Sequence, residues 1–344
     1  MGSLLSLFIR IEKFLNLKNL VFLVSQPRAG STLLQKMLSM HHDICTVGEP
    51  WLLLPFFIQN KNNLYVDELN AGLRNKALKV FINELSDGQQ TYRDAIKEFA
   101  NSLYSDVSRR TKASYFLDKT PRNYEIIDEL ASTFPDAKFI FLIRNPVAVI
   151  CSILNTWVTN KDDPFFLRHY RGDLLDAPRK ILNCHLSSNR AITVRFEELV
   201  CCPENVISVV CDFLNIEFKS SMINYGQQAK NKWRYGDQND VYSHSSPNIA
   251  KVDKWKESLQ KYPATWRIVN DYYRILGSVT IERLGYSFDE LGDTLENLRP
   301  SFSNIFPSLV SCLEIPQARF TIRSRIYQKL IGILWRKLNY FKSK

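Results

Sequence analysis

The sequence predicts an α/β fold: a central, mainly parallel sheet with helices on its faces and additional helical insertions. Three observations carry that prediction. Apolar runs of strand length recur at residues 20–24, 115–119, 137–143 and 191–196; each ends in a polar or glycine-bearing turn; and each turn opens a stretch whose apolar residues fall at helical spacing. Strand and helix alternating in this way form right-handed βαβ units, because a right-twisted strand packs its crossover helix back onto the sheet with that hand.

The elements follow in chain order. Residues 3–15 read as a short amphipathic helix. The stretch NLVFLVSQPRAGSTLLQKML (19–38) divides into a buried strand at 20–24, a tight loop at 25–31 and a helix opened by Ser31 and Thr32, with Leu33, Leu34, Met37 and Leu38 on one side. His41, His42 and Asp43 read as a helix C-terminal cap or surface pair, and Pro50 and Pro55 then punctuate an apolar, aromatic run. Residues 60–113 are polar, with helical patterns near 73–85 and 92–103. A strand ends at Asp118 and Lys119, turns at Pro121 and enters a helix through Ile126, Ile127 and Leu130. AKFIFLI (137–143) ends in Arg144, Asn145 and Pro146, where proline suits the first helical turn because its missing N–H would find no partner there; Val147, Val149, Ile150 and Ile153 follow at helical spacing. AITVRF (191–196) leads into EELVCCPENVISVVCDFL, whose apolar face is expected at Val206, Val209, Val210 and Phe213. Residues 219–254 read as a long polar loop, helices return at 255–284, and the body is expected to end near residue 298.

Composition narrows the class. The 344 residues can bury a sizeable core, and 45% hydrophobic with 23% charged residues describes an ordinary globular protein. The net charge of +10 suggests nucleic acid until its placement is considered. From Arg319 onward there are eight basic residues and no acidic one; subtracting those eight from +10 leaves +2 for the rest. A nearly balanced body argues against a nucleic-acid partner. Seven scattered cysteines without a C-x-x-C pair lack metal-ligand spacing and suit reduced thiols in a cytoplasmic setting. The N-terminal apolar run, interrupted by Arg10, Glu12 and Lys13, reads as neither signal peptide nor membrane span.

The chemistry is expected at the glycine loop. A strand feeding through glycine into a helix start is an anion site, since the first N–H groups lack intrahelical partners and the helix dipole is positive there. The nucleoside-triphosphate pattern G-x-x-x-x-G-K-[ST] is absent: Gly30 is followed directly by Ser31 and Thr32, with Arg28 two residues before it. That argues against ATP and for a nucleotide with a shorter 5′ anion. Ligands of such sheets lie at the carboxyl ends of the strands, and three cations, Arg28, Lys119 and Arg144, fall at such ends.

These motifs resemble those of sulfotransferases that use 3′-phosphoadenosine 5′-phosphosulfate (PAPS), over roughly residues 19–290. Pro27 to Leu33 is similar to the family's 5′-phosphosulfate loop, Arg144-Asn145-Pro146 with Ser152 to its 3′-phosphate motif, and Val194 to Leu199 to its third strand-to-helix junction. The resemblance implies a P-loop NTPase-like three-layer α/β/α fold for residues 19–298, PAPS as co-substrate, no metal, and in-line sulfuryl transfer to a hydroxyl. It implies cofactor contacts from Arg28, Ala29, Gly30, Ser31, Thr32, Leu33, Arg144 and Ser152. The pattern stands nearer the tyrosylprotein branch than the small-molecule branch, whose histidine after the lysine is replaced here by Thr120 and Pro121. It therefore implies Lys119 at the leaving oxygen and Glu49 as base, and Ser245 and Lys251 in a stretch that closes over the cofactor; Trp51, two residues after Glu49, is expected to desolvate the carboxylate in part.

Residues 299–344 form a basic C-terminal extension. Ile326, Leu330, Ile333, Leu334, Leu338 and Phe341 share one helical stripe, which either meets an anionic membrane surface, making the enzyme peripheral, or packs on the body. Other readings are a nucleotide kinase of related topology and a non-catalytic, membrane-associated nucleotide-binding adaptor. The acceptor stays open among sugar, lipid, peptide tyrosine and small phenol.

Overall fold

A computed structural model describes residues 19–58, 71–157, 170–228, 244–261 and 263–301. The expected N-terminal helix, the C-terminal stripe and part of the polar loop lie outside these residues. In order, the chain forms β1 (Leu20–Ser25), α1 (Ser31–Leu38), β2 (Ile44–Thr46), α2 (Leu54–Ile58), α3 (Ala71–Asn83), α4 (Gly88–Thr111), β3 (Tyr115–Asp118), a 3-10 turn (Pro121–Ile126), α5 (Ile127–Thr133), β4 (Lys138–Ile143) and α6 (Pro146–Thr156). A π-turn (Gly172–Asp176), α7 (Ala177–Leu182), β5 (Ala191–Arg195), α8 (Phe196–Cys201), α9 (Pro203–Leu214), short 3-10 turns at Ser220–Met222 and Tyr225–Gln228, α10 (Ala250–Lys261), α11 (Pro263–Leu276), α12 (Ser278–Arg283) and α13 (Phe288–Asn297) complete it.

The described residues fall into two compact units, one drawn from residues up to 143 and 183–249, the other from 144–182 and 250 onward. The first holds the sheet, in the order β2-β3-β1-β4-β5, with every neighbouring pair parallel. All six residues of β1 are buried, as expected of a central strand covered on both faces, which reads as a continuous apolar run. Phe22 is fully buried and packs against Phe134 and Phe139, with ring centroids 5.6 and 5.3 Å away. The parallel register sets Phe22 beside Asp118 on one side and beside Phe139 on the other, so β3 ends beside the middle of β1 and Lys119 follows there.

Two expectations change here. Residues 196–214 form two helices, broken at Cys202 because Pro203 starts a helix well but cannot continue one. The buried face of α9 is Ile207, Val210, Cys211 and Leu214, whereas Val209 is 54% exposed. The expected stripe at Val206, Val209, Val210 and Phe213 is rotated by about one residue, and α9 is apolar enough on both stripes that the anchoring decides. Tyr115 donates its hydroxyl to Leu214 O and Lys138 its ammonium to Phe213 O, which fixes the rotation. The edge strand β2 was not expected, its three residues being too few for a recognisable run. Cys45, Cys151, Cys184, Cys201, Cys202 and Cys211 are all free; burial pushes the thiols of Cys184 and Cys211 up to about 11.

In the second unit, α6 buries Val147, Val149, Ile150 and Ile153 as expected and packs on α10 and α11. Asn155 donates to Ser258 Oγ at 2.7 Å, and Tyr272 to Leu174 O at 3.0 Å. Helix α10 begins at Ala250, inside the predicted loop, with Asp253 in its first turn where a carboxylate favours a helix start. Among the described residues no helix is long and apolar enough to cross a membrane.

Candidate functional site

The glycine loop is built from conformations few residues adopt. Arg28 has φ 69° and Gly30 φ 101°, and Gly30 forms the N-cap of α1 without any side-chain capping bond. A side chain at Gly30 is barred twice over: by the left-handed φ, and because a Cβ there would lie 2.4 Å from the Phe196 ring. Ala29, Ser31, Thr32 and Leu33 are buried. The hydroxyl of Ser25, at the end of β1, is buried with no hydrogen-bond partner among the described residues.

Lys119 follows β3 directly and is completely buried. Its ammonium lies 2.7 Å from Glu49 Oε1 and 3.4 Å from Thr32 Oγ1, so it joins the helix start of α1 to the expected base. The Glu49 side chain is 12% exposed. Its other oxygen, Oε2, accepts the Trp51 indole N–H at 3.1 Å. Trp51 thus serves Glu49 as a hydrogen-bond donor and is itself 38% exposed.

Two straps hold this pair. Upstream of Glu49, the Gln35 amide donates to Thr46 Oγ1 (2.8 Å), Val47 O (2.7 Å) and Gly48 O (2.9 Å), and Thr46 donates to Leu117 O of β3. Downstream, Trp51 N–H donates to Thr120 Oγ1 at 3.2 Å, and the Thr120 hydroxyl donates to Asp118 Oδ1 at 2.9 Å. Asp118 also accepts from Tyr104 and Asn123. Burial pushes its carboxyl up, against the hydrogen bonds from Tyr104, Thr120 and Asn123 and the charge of Lys119, which all favour the ionised form. Burial, reinforced by Asp118, likewise pushes the Tyr104 hydroxyl well up. Gln35 and Tyr104 escaped the sequence reading, and Asp118 was read only as a strand end. Gln35 left a signal, a polar residue among buried apolar neighbours on a short helix; Tyr104, on another helix, left none.

In the second unit, Arg144 donates to Lys251 O at 3.1 Å, which brings two of the expected cofactor residues together. Asn145 Oδ1 caps α6, accepting from Val147 N–H (2.9 Å) and Ala148 N–H (3.4 Å). Ser152 is half-buried on the second turn of α6. Ser245 belongs to the first unit, where its carbonyl accepts from Gly226 N–H at 3.0 Å, so the expected closing stretch is divided between the units.

His41, His42 and Asp43 bring possible ligand atoms within 4.8 Å of one another. Both ring nitrogens of His41 are already engaged: Nε2 donates to Glu217 O at 2.9 Å and Nδ1 accepts from Asp43 N–H at 3.1 Å. His41 is buried, so half of the expected surface pair is a packed corner; burial lowers its pKa. His42 stays exposed and stacks on its ring.

A model of the sulfotransferase family matches residues 21–220. Nodulation protein NoeE of Sinorhizobium fredii is 33% identical over 136 residues, 40% of this chain and 31% of that protein. Protein-tyrosine sulfotransferase 1 of Danio rerio is 27% identical over 210 residues, 60% of this chain and 56% of that one. The match thus spans roughly a third of the first relative, 31%, and about half of the second, 56%. Among solved structures, the sulfotransferase domain from the curacin biosynthetic pathway shares the fold with TM-score 0.50, covering 78% of this chain and 97% of that one at 23% identity.

Proposed function

The chain belongs to the sulfotransferase family, and on that premise we propose that it transfers a sulfuryl group from PAPS to an acceptor hydroxyl. The observation that carries the reading is the buried Lys119 between Glu49 and Thr32, at the start of α1.

The residues present fit the 5′ end of such a nucleotide. The helix start has no side-chain cap, its first hydroxyls are buried, and Ser25 offers a buried hydroxyl without a hydrogen-bond partner among the described residues. Backbone N–H groups of Gly30, Ser31 and Thr32 would hold the 5′ anion together with Arg28, as helix starts hold oxyanions; the expected Leu33 contact is corrected, because its N–H donates to Gly30 O at 2.9 Å. Arg144 and Ser152 would hold the 3′-phosphate, with Ser245 and Lys251 in support; a guanidinium suits a phosphate because its fork donates twice. When bound, PAPS supplies the sulfuryl group and a phosphate leaving group, in a displacement governed by positioning and charge neutralisation. Glu49 receives the acceptor hydroxyl proton, and Lys119 presents its ammonium toward the departing oxygen.

Titration calorimetry with 3′-phosphoadenosine 5′-phosphate (PAP) tests this. Binding about 100-fold tighter than 5′-AMP is expected from the added charge-assisted contacts; absent binding, or equal affinity, overturns the reading. A kinase would instead transfer phosphate from ATP. A cytoplasmic setting and a tail meeting anionic lipid belong to the same proposal, supported by the free cysteines and by the eight cations from Arg319 onward. Liposome binding unchanged by deletion of residues 319–344 would refute the lipid contact.

A further inference from the structure

We infer that Trp51 is the acceptor platform: the acceptor hydroxyl is carried on a ring, and the apolar face of that ring lies on the exposed indole. The inference rests on the sulfotransferase reading and specifies its acceptor side.

Its starting point is backbone strain. Four described residues other than glycine have positive φ. Lys112 and Asn215 cap the C-termini of α4 and α9, where left-handed residues are ordinary. Arg28 and Trp51 are at the site. For a side chain as bulky as tryptophan, φ 52° is an outlier costing about 1–3 kcal/mol, and such conformations persist where surrounding contacts over-determine them and function uses them.

Those contacts are present. The Trp51 backbone N–H is held by Thr120, and its indole N–H by Glu49 Oε2. The ring is therefore fixed to the carboxylate that serves as base. An indole held so firmly for packing alone would be covered, as Trp255 and Trp266 are at 5% and 3% exposure; Trp51 is 38% exposed. Its polar atom is satisfied, and 38% of the residue remains exposed. The Arg122 guanidinium lies 5.9 Å from the ring centroid, a cation–π distance that further restrains the ring.

A surface of this kind, one side chain away from the base, recognises a ring with an apolar face and hydroxyls on its edge. Pyranosides and phenols share that geometry, and an aliphatic alcohol does not. Stacking positions the ring, and an edge hydroxyl then reaches Glu49.

The test uses the full chain with saturating PAPS and three acceptor probes: methyl β-glucopyranoside, 4-methylphenol and 1-hexanol. Sulfate transfer and PAP affinity are measured for the native protein, Trp51→Phe and Trp51→Leu. A lower KM for a ring acceptor than for hexanol is expected, and whichever ring is used identifies the source. Both variants remove the indole N–H from Glu49, so kcat should fall for every acceptor; Trp51→Leu should in addition raise the ring-acceptor KM about tenfold relative to the hexanol KM, the scale of a lost aromatic contact, with PAP affinity unchanged. Trp51→Phe, which keeps a ring, should hold the KM within about threefold. The inference is overturned by hexanol serving as well as the rings, by Trp51→Leu leaving the ratio of ring to hexanol KM unchanged, or by no transfer to either ring from a protein that binds PAP. A native protein that does not bind PAP overturns the sulfotransferase reading instead.

Discussion

Two strand-to-helix turns in this chain meet the same physical requirement by opposite means. Both must deal with helix-start N–H groups that have no partner within the helix. Between β1 and α1 the N-cap is Gly30, in a left-handed conformation, with no side-chain cap. Between β4 and α6, Asn145 accepts two of the helix N–H groups and Pro146 removes another. The first turn has no side-chain cap, so an anion could meet its donors directly; the second settles them internally, so an anion there would have to be held by side chains such as Arg144 and Ser152. On the proposed reading the same local topology yields one backbone-built site and one side-chain-built site, and the difference predicts which substitutions each will tolerate.

The largest effect is expected beside the first turn. Lys119→Met or Glu49→Gln should lower kcat by about 10²–10⁴, the range for lost proton transfer or charge stabilisation, with PAP affinity changed less than about threefold, as calorimetry would show. Lys119→Met also strands a buried carboxylate, so urea unfolding should show a loss of about 3–5 kcal/mol that the double variant partly restores. Gly30→Ala comes next. Its left-handed φ and the Phe196 ring 2.4 Å from the new Cβ should together cost about 3 kcal/mol and weaken PAP binding, and adding Phe196→Ala should recover part of the stability.

The second turn should respond differently. Arg144→Ala should lower the preference for PAP over 5′-AMP by about 10–100-fold, the scale of charge-assisted hydrogen bonds, in competitive binding. Asn145→Ala should cost only a cap, about 1 kcal/mol, with PAP affinity nearly unchanged. If Asn145→Ala weakened PAP as much as Gly30→Ala, the contrast between the two turns would collapse.

The smallest effect concerns the corner after α1. Burial lowers the pKa of His41, so the folded chain keeps it neutral while the unfolded chain takes up a proton below about pH 6.5. Its contribution is therefore present above that pH and lost as pH falls through it toward the depressed value. Urea midpoints should decline from pH 7 to 5.5, and His41→Gln should flatten that slope. No change in slope would mean that His41 does not titrate with unfolding.

What could be read in the sequence was what is written contiguously. The loop from Arg28 to Leu33, Arg144 before Pro146, and the strands around them are linear patterns whose chemistry follows from their order. Glu49 and Lys119 could be named, but their pairing across 70 residues depends on β2 lying beside β3 with Thr46 opposite Leu117, and β2 is too short to announce itself. The rotation of α9 was misjudged because two adjacent apolar stripes compete and only anchoring chooses between them. Asn145 as a cap was legible in principle, standing directly before a helix-starting proline, whereas the role of Trp51 as donor depends on a backbone angle that no pattern of residue types encodes.

The Gln35 amide gathers Thr46, Val47 and Gly48 at a single point, so the distance from α1 to the base is set by one side chain rather than by the length of chain between them. An added residue at 39–40 only enlarges a turn before the strap. An added residue between 46 and 49 would carry Glu49 up to ~3.5 Å along the chain, out of reach of Lys119. Insertions and deletions among descendants of this sequence should accumulate on one side of that glutamine's grip and be purged from the other.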